Sequence, residues 1–194
     1  MNDKITPEQS MLLITKMIST ARGNVRHGSF HILFWGWLVL LISISHFLLM
    51  KYTSISHPDY LWGLIFPGIL VSFFYGMHHG RKERHQSYID RVFMWIWVTL
   101  CITVIIICIM MFESGPIIVP FVLMISGYAM FLSGKVLRFS PMIFGGVSFW
   151  VWAIAGYFLN NEYSLIVTAL SIITGYLIPG YLLKKKEIED AQAA

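Results

Sequence analysis

Long runs of apolar side chains, broken by short polar segments, set the pattern of this chain. Six runs stand out, at residues 29–50, 60–80, 92–112, 116–134, 141–159 and 165–183. Each matches the roughly 20 helical residues needed to cross about 30 Å of hydrocarbon. None alternates apolar and polar side chains with period two, which excludes the strands of a membrane barrel. The connectors Glu113–Gly115 and Asn160–Ser164 are short enough to force antiparallel helical hairpins. The pattern predicts an all-α polytopic membrane protein. It has a six-helix transmembrane domain over 29–183, arranged as three tandem hairpins, and a tail at 184–194.

The segment before the first run, residues 1–28, carries a different period. Thr6-Pro7-Glu8-Gln9 reads as a capping box with proline at the first helical position. A helix is predicted over about 7–22, with Gly23-Asn24 to end it. Met11, Leu13, Ile14, Met17, Ile18 and Ala21 fall on one half of its wheel, while Glu8, Gln9, Thr15, Lys16, Ser19, Thr20 and Arg22 fall on the other. Such a helix lies in the headgroup plane or packs on the loops or on a partner. Its polar face is not basic enough to make it a sensor of lipid charge.

Composition sharpens this picture. The chain is 57% apolar and only 12% charged, against about a quarter charged in soluble domains. That excludes a soluble globular protein, a disordered tail and a nucleic-acid binder. Every Lys and Arg except Lys51 lies before the first run, after an even-numbered run, or beyond the last. The positive-inside rule then places both termini in the cytoplasm of a cell with an inner membrane. Asp59, Glu113 and Glu162 on the outer side agree. No cleavable signal peptide is expected, because no apolar core precedes a small-residue cleavage site in residues 1–28. Cys101 and Cys108 share a face of one helix, cannot pair, and are expected to be small packing residues.

Six of the seven tryptophans form three Trp-x-Trp pairs, at 35 and 37, 95 and 97, and 150 and 152. Each pair lies in the cytoplasmic half of an odd-numbered run. The even runs carry Phe74-Tyr75-Gly76, Ser126-Gly127-Tyr128 and Thr174-Gly175-Tyr176, then a glycine ahead of basic residues. Three copies of one hairpin, inserted in the same sense, account for this better than interfacial tryptophan enrichment alone. Gly63, Gly68, Gly76, Gly80, Gly127, Gly175 and Gly180 offer close helix approach. Pro67, Pro120 and Pro179 should kink the even helices, which would then form the inner ring. The third run has neither glycine nor proline and is expected to face lipid.

Candidate chemistry is sparse. Membrane enzymes and ion-coupled transporters keep ionisable groups at membrane depth, and here only His31 and His46 qualify. No catalytic residue, cofactor site or phosphate-binding glycine pattern is expected, and the chain is not expected to be an enzyme. His27 and His31 are four apart at the start of the first run, and His78 and His79 end the second, with His85 following. Imidazoles so placed suit zinc or titration near neutral pH. Against that, Arg81, Lys82 and Arg84 repel a divalent cation, and carboxylates to orient the rings are missing. The four histidines are therefore read as interfacial residues that hold no metal. His46, beside Ser43 and Ser45, is expected to hydrogen-bond between helices.

The stretch Pro7-Glu8-Gln9-Ser10, Leu13, Ile14, Met17, Ile18, Asn24 and Trp35-Gly36-Trp37 resembles an uncharacterised family of small six-span inner-membrane proteins of Bacteroidetes-type bacteria. The likeness extends through Gly76, Gly80–Arg84 and the Lys135–Pro141 connector. It implies location and architecture and assigns no site residue. The leading expectation is a non-catalytic membrane protein with a scaffold or regulatory role, meeting the bilayer and a protein partner or second copy at its cytoplasmic face. The runner-up is a small uncoupled transporter or channel, its path lined by Ser72, Ser126, Ser133, Thr168, Ser171 and Thr174. A cytoplasmic-histidine metal or pH sensor is third.

Overall fold

A computed structural model of the chain describes residues 28–53, 55, 57–80, 88–110, 118–159 and 163–192, with the side chains of 78–80, 88–90 and 191 left aside. The amphipathic helix expected at about 7–22 lies outside the described residues, as do His27 and His85. The described residues are almost entirely helical, without strands, and six of the helices are long and apolar enough to cross a membrane.

The first span is α1, Gly28–Tyr52. A short 3-10 helix, Pro58–Leu64, opens the second, with proline in its first turn, and leads into α2, Ile65–Gly80. Next come α3, Tyr88–Met110, α4, Ile118–Val136, and α5, Ser140–Phe158. The sixth span has three parts: α6, Ser164–Ile172, a π-helical segment Ile173–Leu177, and α7, Ile178–Gln192. The sixth helix thus runs on past residue 183, so the expected tail is its continuation.

The prolines do not act alike. Pro120 is the third residue of α4 and Pro67 the third of α2, although the 3-10 helix before α2 already carries Pro67 well inside the second span. Pro179 lies in the middle of the sixth span. It has no N–H to offer the carbonyl of Gly175, and the helix widens into the π segment immediately before it. The Gly175 oxygen lies instead against Gly145, where an added Cβ would come within 2.7 Å of it.

Around the bundle the spans neighbour one another in the order second, first, sixth, fifth, fourth, third. The sixth is the hub, with 56% of its apolar stretch buried, against 6% for the second and 11% for the third. The second span is therefore an outer helix, not a member of an inner ring of even spans. Its face carries Phe66, Phe73 and Phe74, all exposed. Cys101 and Cys108 are exposed as well, so they face outward on α3 and do not fill the core.

The core is held by close approach at glycine, as dispersion forces require where no water is left to expel. Between α4 and α5 the contact is reciprocal. A Cβ on Gly127 would meet the Gly146 oxygen at 2.8 Å, and one on Gly146 would meet the Gly127 oxygen at 2.7 Å. Gly36 of α1 admits Leu177, and Gly180 of α7 admits Leu33. Phe149, fully buried, fills the space over Gly175 and meets Tyr176 edge-on at 4.7 Å.

Candidate functional site

The three tryptophan pairs have a structural counterpart. The second member of each pair reaches the sixth span. Trp37 donates its indole N–H to the Tyr181 hydroxyl at 3.0 Å, and Trp152 donates to Thr174 Oγ1 at 3.0 Å. Trp97 lies 5.9 Å, centroid to centroid, from the ring of Tyr176. Its buried indole N–H has no hydrogen-bond partner. Of the first members, Trp35 lies against Gly68 of α2 and Trp150 donates to the Met124 carbonyl of α4 at 3.1 Å, while Trp95 is exposed.

At the end of the bundle where the described chain begins and ends, the first, second and last helices meet. Ser29 stands in the first turn of α1, whose leading N–H groups have no partner in their own helix. Glu187 of α7 supplies one: the Ser29 backbone N–H donates to Glu187 Oε1 at 3.1 Å, and the Ser29 hydroxyl donates to Oε2. The carboxylate thereby caps a helix that belongs to a distant part of the chain, and its charge suits the positive end of the helix dipole. One residue on, Phe30 stacks on Tyr75 of α2 with centroids 3.7 Å apart, and His31 meets Tyr75 edge-on at 5.6 Å. The starts of the first span and the end of the second are thus neighbours, as the hairpin reading expects. Of the four histidines named as metal candidates, His31 is half-buried in this cluster, and the side chains of His27, His78 and His79 are outside the described residues. Among the described residues no group of three or more His, Cys, Asp or Glu side chains is arranged to hold a metal.

At the opposite end, His46 is pinned between two partners. The Trp62 indole N–H donates to His46 Nδ1 at 3.0 Å, and His46 Nε2 lies 3.4 Å from Asp59 Oδ1. An indole nitrogen can only donate. Nδ1 must therefore be the bare nitrogen, which leaves the proton on Nε2, facing the carboxylate. His46 links a span to the 3-10 helix that follows it, a hydrogen-bonding role of the kind its neighbours suggested. Ser43, three residues earlier, is fully buried, but its hydroxyl has no partner. Serine, histidine and aspartate thus lie close together without a nucleophile–base hydrogen bond, so no catalytic triad is assembled.

Of the six hydroxyls proposed to line a path, three bond back to their own helix, and those of Ser72 and Ser133 are buried without a hydrogen-bond partner. Thr168 donates to the Ser164 carbonyl, Ser171 to that of Thr168, and Thr174 to that of Leu170. Ser133 and Ser171 are fully buried, and Met130, Met142 and Phe149 fill the space among these helices. Glu187 and Trp62 escaped the sequence reading, and Tyr75 entered it only as part of the Phe74-Tyr75-Gly76 motif. A helical step of four from Leu183 to Glu187 places a carboxylate below a buried leucine, which is a usable signal for the first. Nothing local marks Trp62. Family models, curated proteins and solved structures gave no match to the chain, and none supports the resemblance drawn from its N-terminal and Trp35–Trp37 motifs.

Proposed function

We propose that this is a non-catalytic inner-membrane protein of three tandem hairpins, with both termini cytoplasmic, whose terminal face presents a docking platform. One observation carries the reading. The charged end of helix α7 is held against the start of α1 by the Glu187–Ser29 clamp. A clamp of this kind fixes the angle at which a surface helix is offered, which a passive tail does not need. The closed core supports the same reading over a channel: its buried polar side chains are serines, one threonine and His46. Carboxylates and lysines are absent from that set among the described residues, which favours a packed core over an ion-coupling path.

Reporter fusions after Ala194 and within residues 160–164 test the topology, and opposite signals are expected. Equal signals would remove the six-span reading. Crosslinking in intact cells tests the platform: Glu187→Ala should weaken a crosslink formed from α7 while leaving the chain inserted. A crosslink pattern that Glu187→Ala leaves unchanged would reduce the clamp to a stabilising contact.

A further inference from the structure

The turn between α4 and α5 is closed by a Schellman motif. Phe139 N–H donates to the Gly134 carbonyl at 2.9 Å, and Arg138 N–H to the Lys135 carbonyl at 3.3 Å. The residue between helix end and closing bond must adopt the left-handed conformation, and glycine is its usual occupant. Here it is Arg138, with φ of 51°, the one non-glycine residue with positive φ among the described residues. Arginine has no short polar group to relieve that conformation locally, so the backbone bears the strain. Strain kept at one position asks what the side chain supplies there.

It supplies an exposed cation to a turn already flanked by two more. Lys186 of α7 sits over the Phe139 ring at 5.4 Å, and Lys135 over the Phe131 ring at 5.5 Å. Two of the acids on α7 are engaged elsewhere: Glu187 holds Ser29, and Glu189 lies 3.9 Å from Lys185. Among the described residues, Lys135, Arg138 and Lys186 have no carboxylate within ion-pair distance. Directly along α5 from the turn, Phe144 is 73% exposed, followed by exposed Val147 and Val151.

The geometry points to a binding site for an anionic phospholipid, with its phosphate held by Arg138, Lys135 and Lys186 and its acyl chain along Phe144, Val147 and Val151. The apolar strip selects a lipid over a free anion, because inorganic phosphate would gain nothing from it. The site rests on the reading that the terminal face is cytoplasmic, the side on which acidic lipids concentrate.

The test uses the full chain in nanodiscs of phosphatidylcholine with graded phosphatidylglycerol, and counts retained acidic lipid by native mass spectrometry. Arg138→Gly should raise the thermal midpoint, because glycine relieves the strained φ, and should lower acidic-lipid retention about five-fold. Lys135→Gln with Lys186→Gln leaves the turn intact and should lower retention further. Retention unchanged in both variants overturns the proposal, as does inorganic phosphate that displaces the lipid or stabilises the protein equally in pure phosphatidylcholine. Failure of the six-span reading is separate, since it would show as opposite-sided reporter signals going missing with lipid retention intact.

Discussion

Gly127 and Gly76 both lie in even-numbered spans and have opposite surroundings. At Gly127 a Cβ would strike both the Gly146 carbonyl and the Trp150 ring at 2.8 Å, whereas at Gly76 nothing lies within 4 Å. The fourth, fifth, sixth and first spans meet through such contacts. The second and third present phenylalanine, isoleucine and methionine outward. A small residue brings helices together only where a partner backbone arrives to use the space. Gly76 and Gly80 form the most familiar association motif in the chain, yet the seam is built at Gly127 and Gly146, which follow no such spacing.

The contrast can be broken most forcefully at the hub. Phe149→Ala empties the space over Gly175 and should cost about 3–5 kcal/mol, measured by titrating the folded protein in detergent with SDS and following far-UV circular dichroism. Gly127→Ala and Gly146→Ala press a methyl group onto a carbonyl oxygen of the opposite helix and should each cost about 1–3 kcal/mol by the same titration.

Glu187→Ala leaves an N–H at the start of α1 without its acceptor, and a loss of about 1 kcal/mol is expected, as for other helix caps. Trp152→Phe and Trp97→Phe separate the tryptophans that reach the sixth span. The first gives up the bond to Thr174 and should cost about 1 kcal/mol, while the second removes a buried donor with no partner and should be neutral or stabilising. Equal losses in the two would mean that packing of the ring alone fixes the odd spans to the hub. Smallest of all, Gly76→Ala should stabilise by up to about 1 kcal/mol through helix propensity, because no neighbour opposes the methyl group. A clear loss there would show that the Gly76 face of α2 meets a partner helix, and thermal midpoints of the purified protein would reveal it.

The spans were legible because each is a run of apolar residues of the right length, and the structure moves their ends by only a few residues except at the sixth, whose helix runs on to Gln192. Which span is central was not legible. The first, third and sixth runs are all strongly apolar, and hydropathy measures compatibility with lipid, which outer and inner helices share. The proline reading shows the same gap. Pro67, Pro120 and Pro179 look equivalent in the sequence, yet among the described residues only Pro179 has a π-helical widening beside it, and no local residue pattern announces that. His46 could be seen as a hydrogen-bonding residue from its polar neighbours. Trp62, which fixes its tautomer, comes from a 3-10 turn that the apolar pattern absorbed into the second span. The Ser29–Glu187 pair is 158 residues apart, and no periodicity connects positions so distant.

Because the hub is the sixth span in chain order, every ribosome makes the periphery of this molecule before its centre. Five helices enter the bilayer with Trp37 and Trp152 still lacking the hydroxyls they will bond, Gly36 lacking its leucine, and α1 lacking its capping carboxylate. Each of those needs is met in one event, when the segment from Ser164 to Gln192 emerges. A chain stalled before that point would be a loose set of hairpins with unsatisfied donors in hydrocarbon, the state that membrane proteases and chaperones recognise as unfinished. In this architecture the fold closes on the last of the six spans to be made.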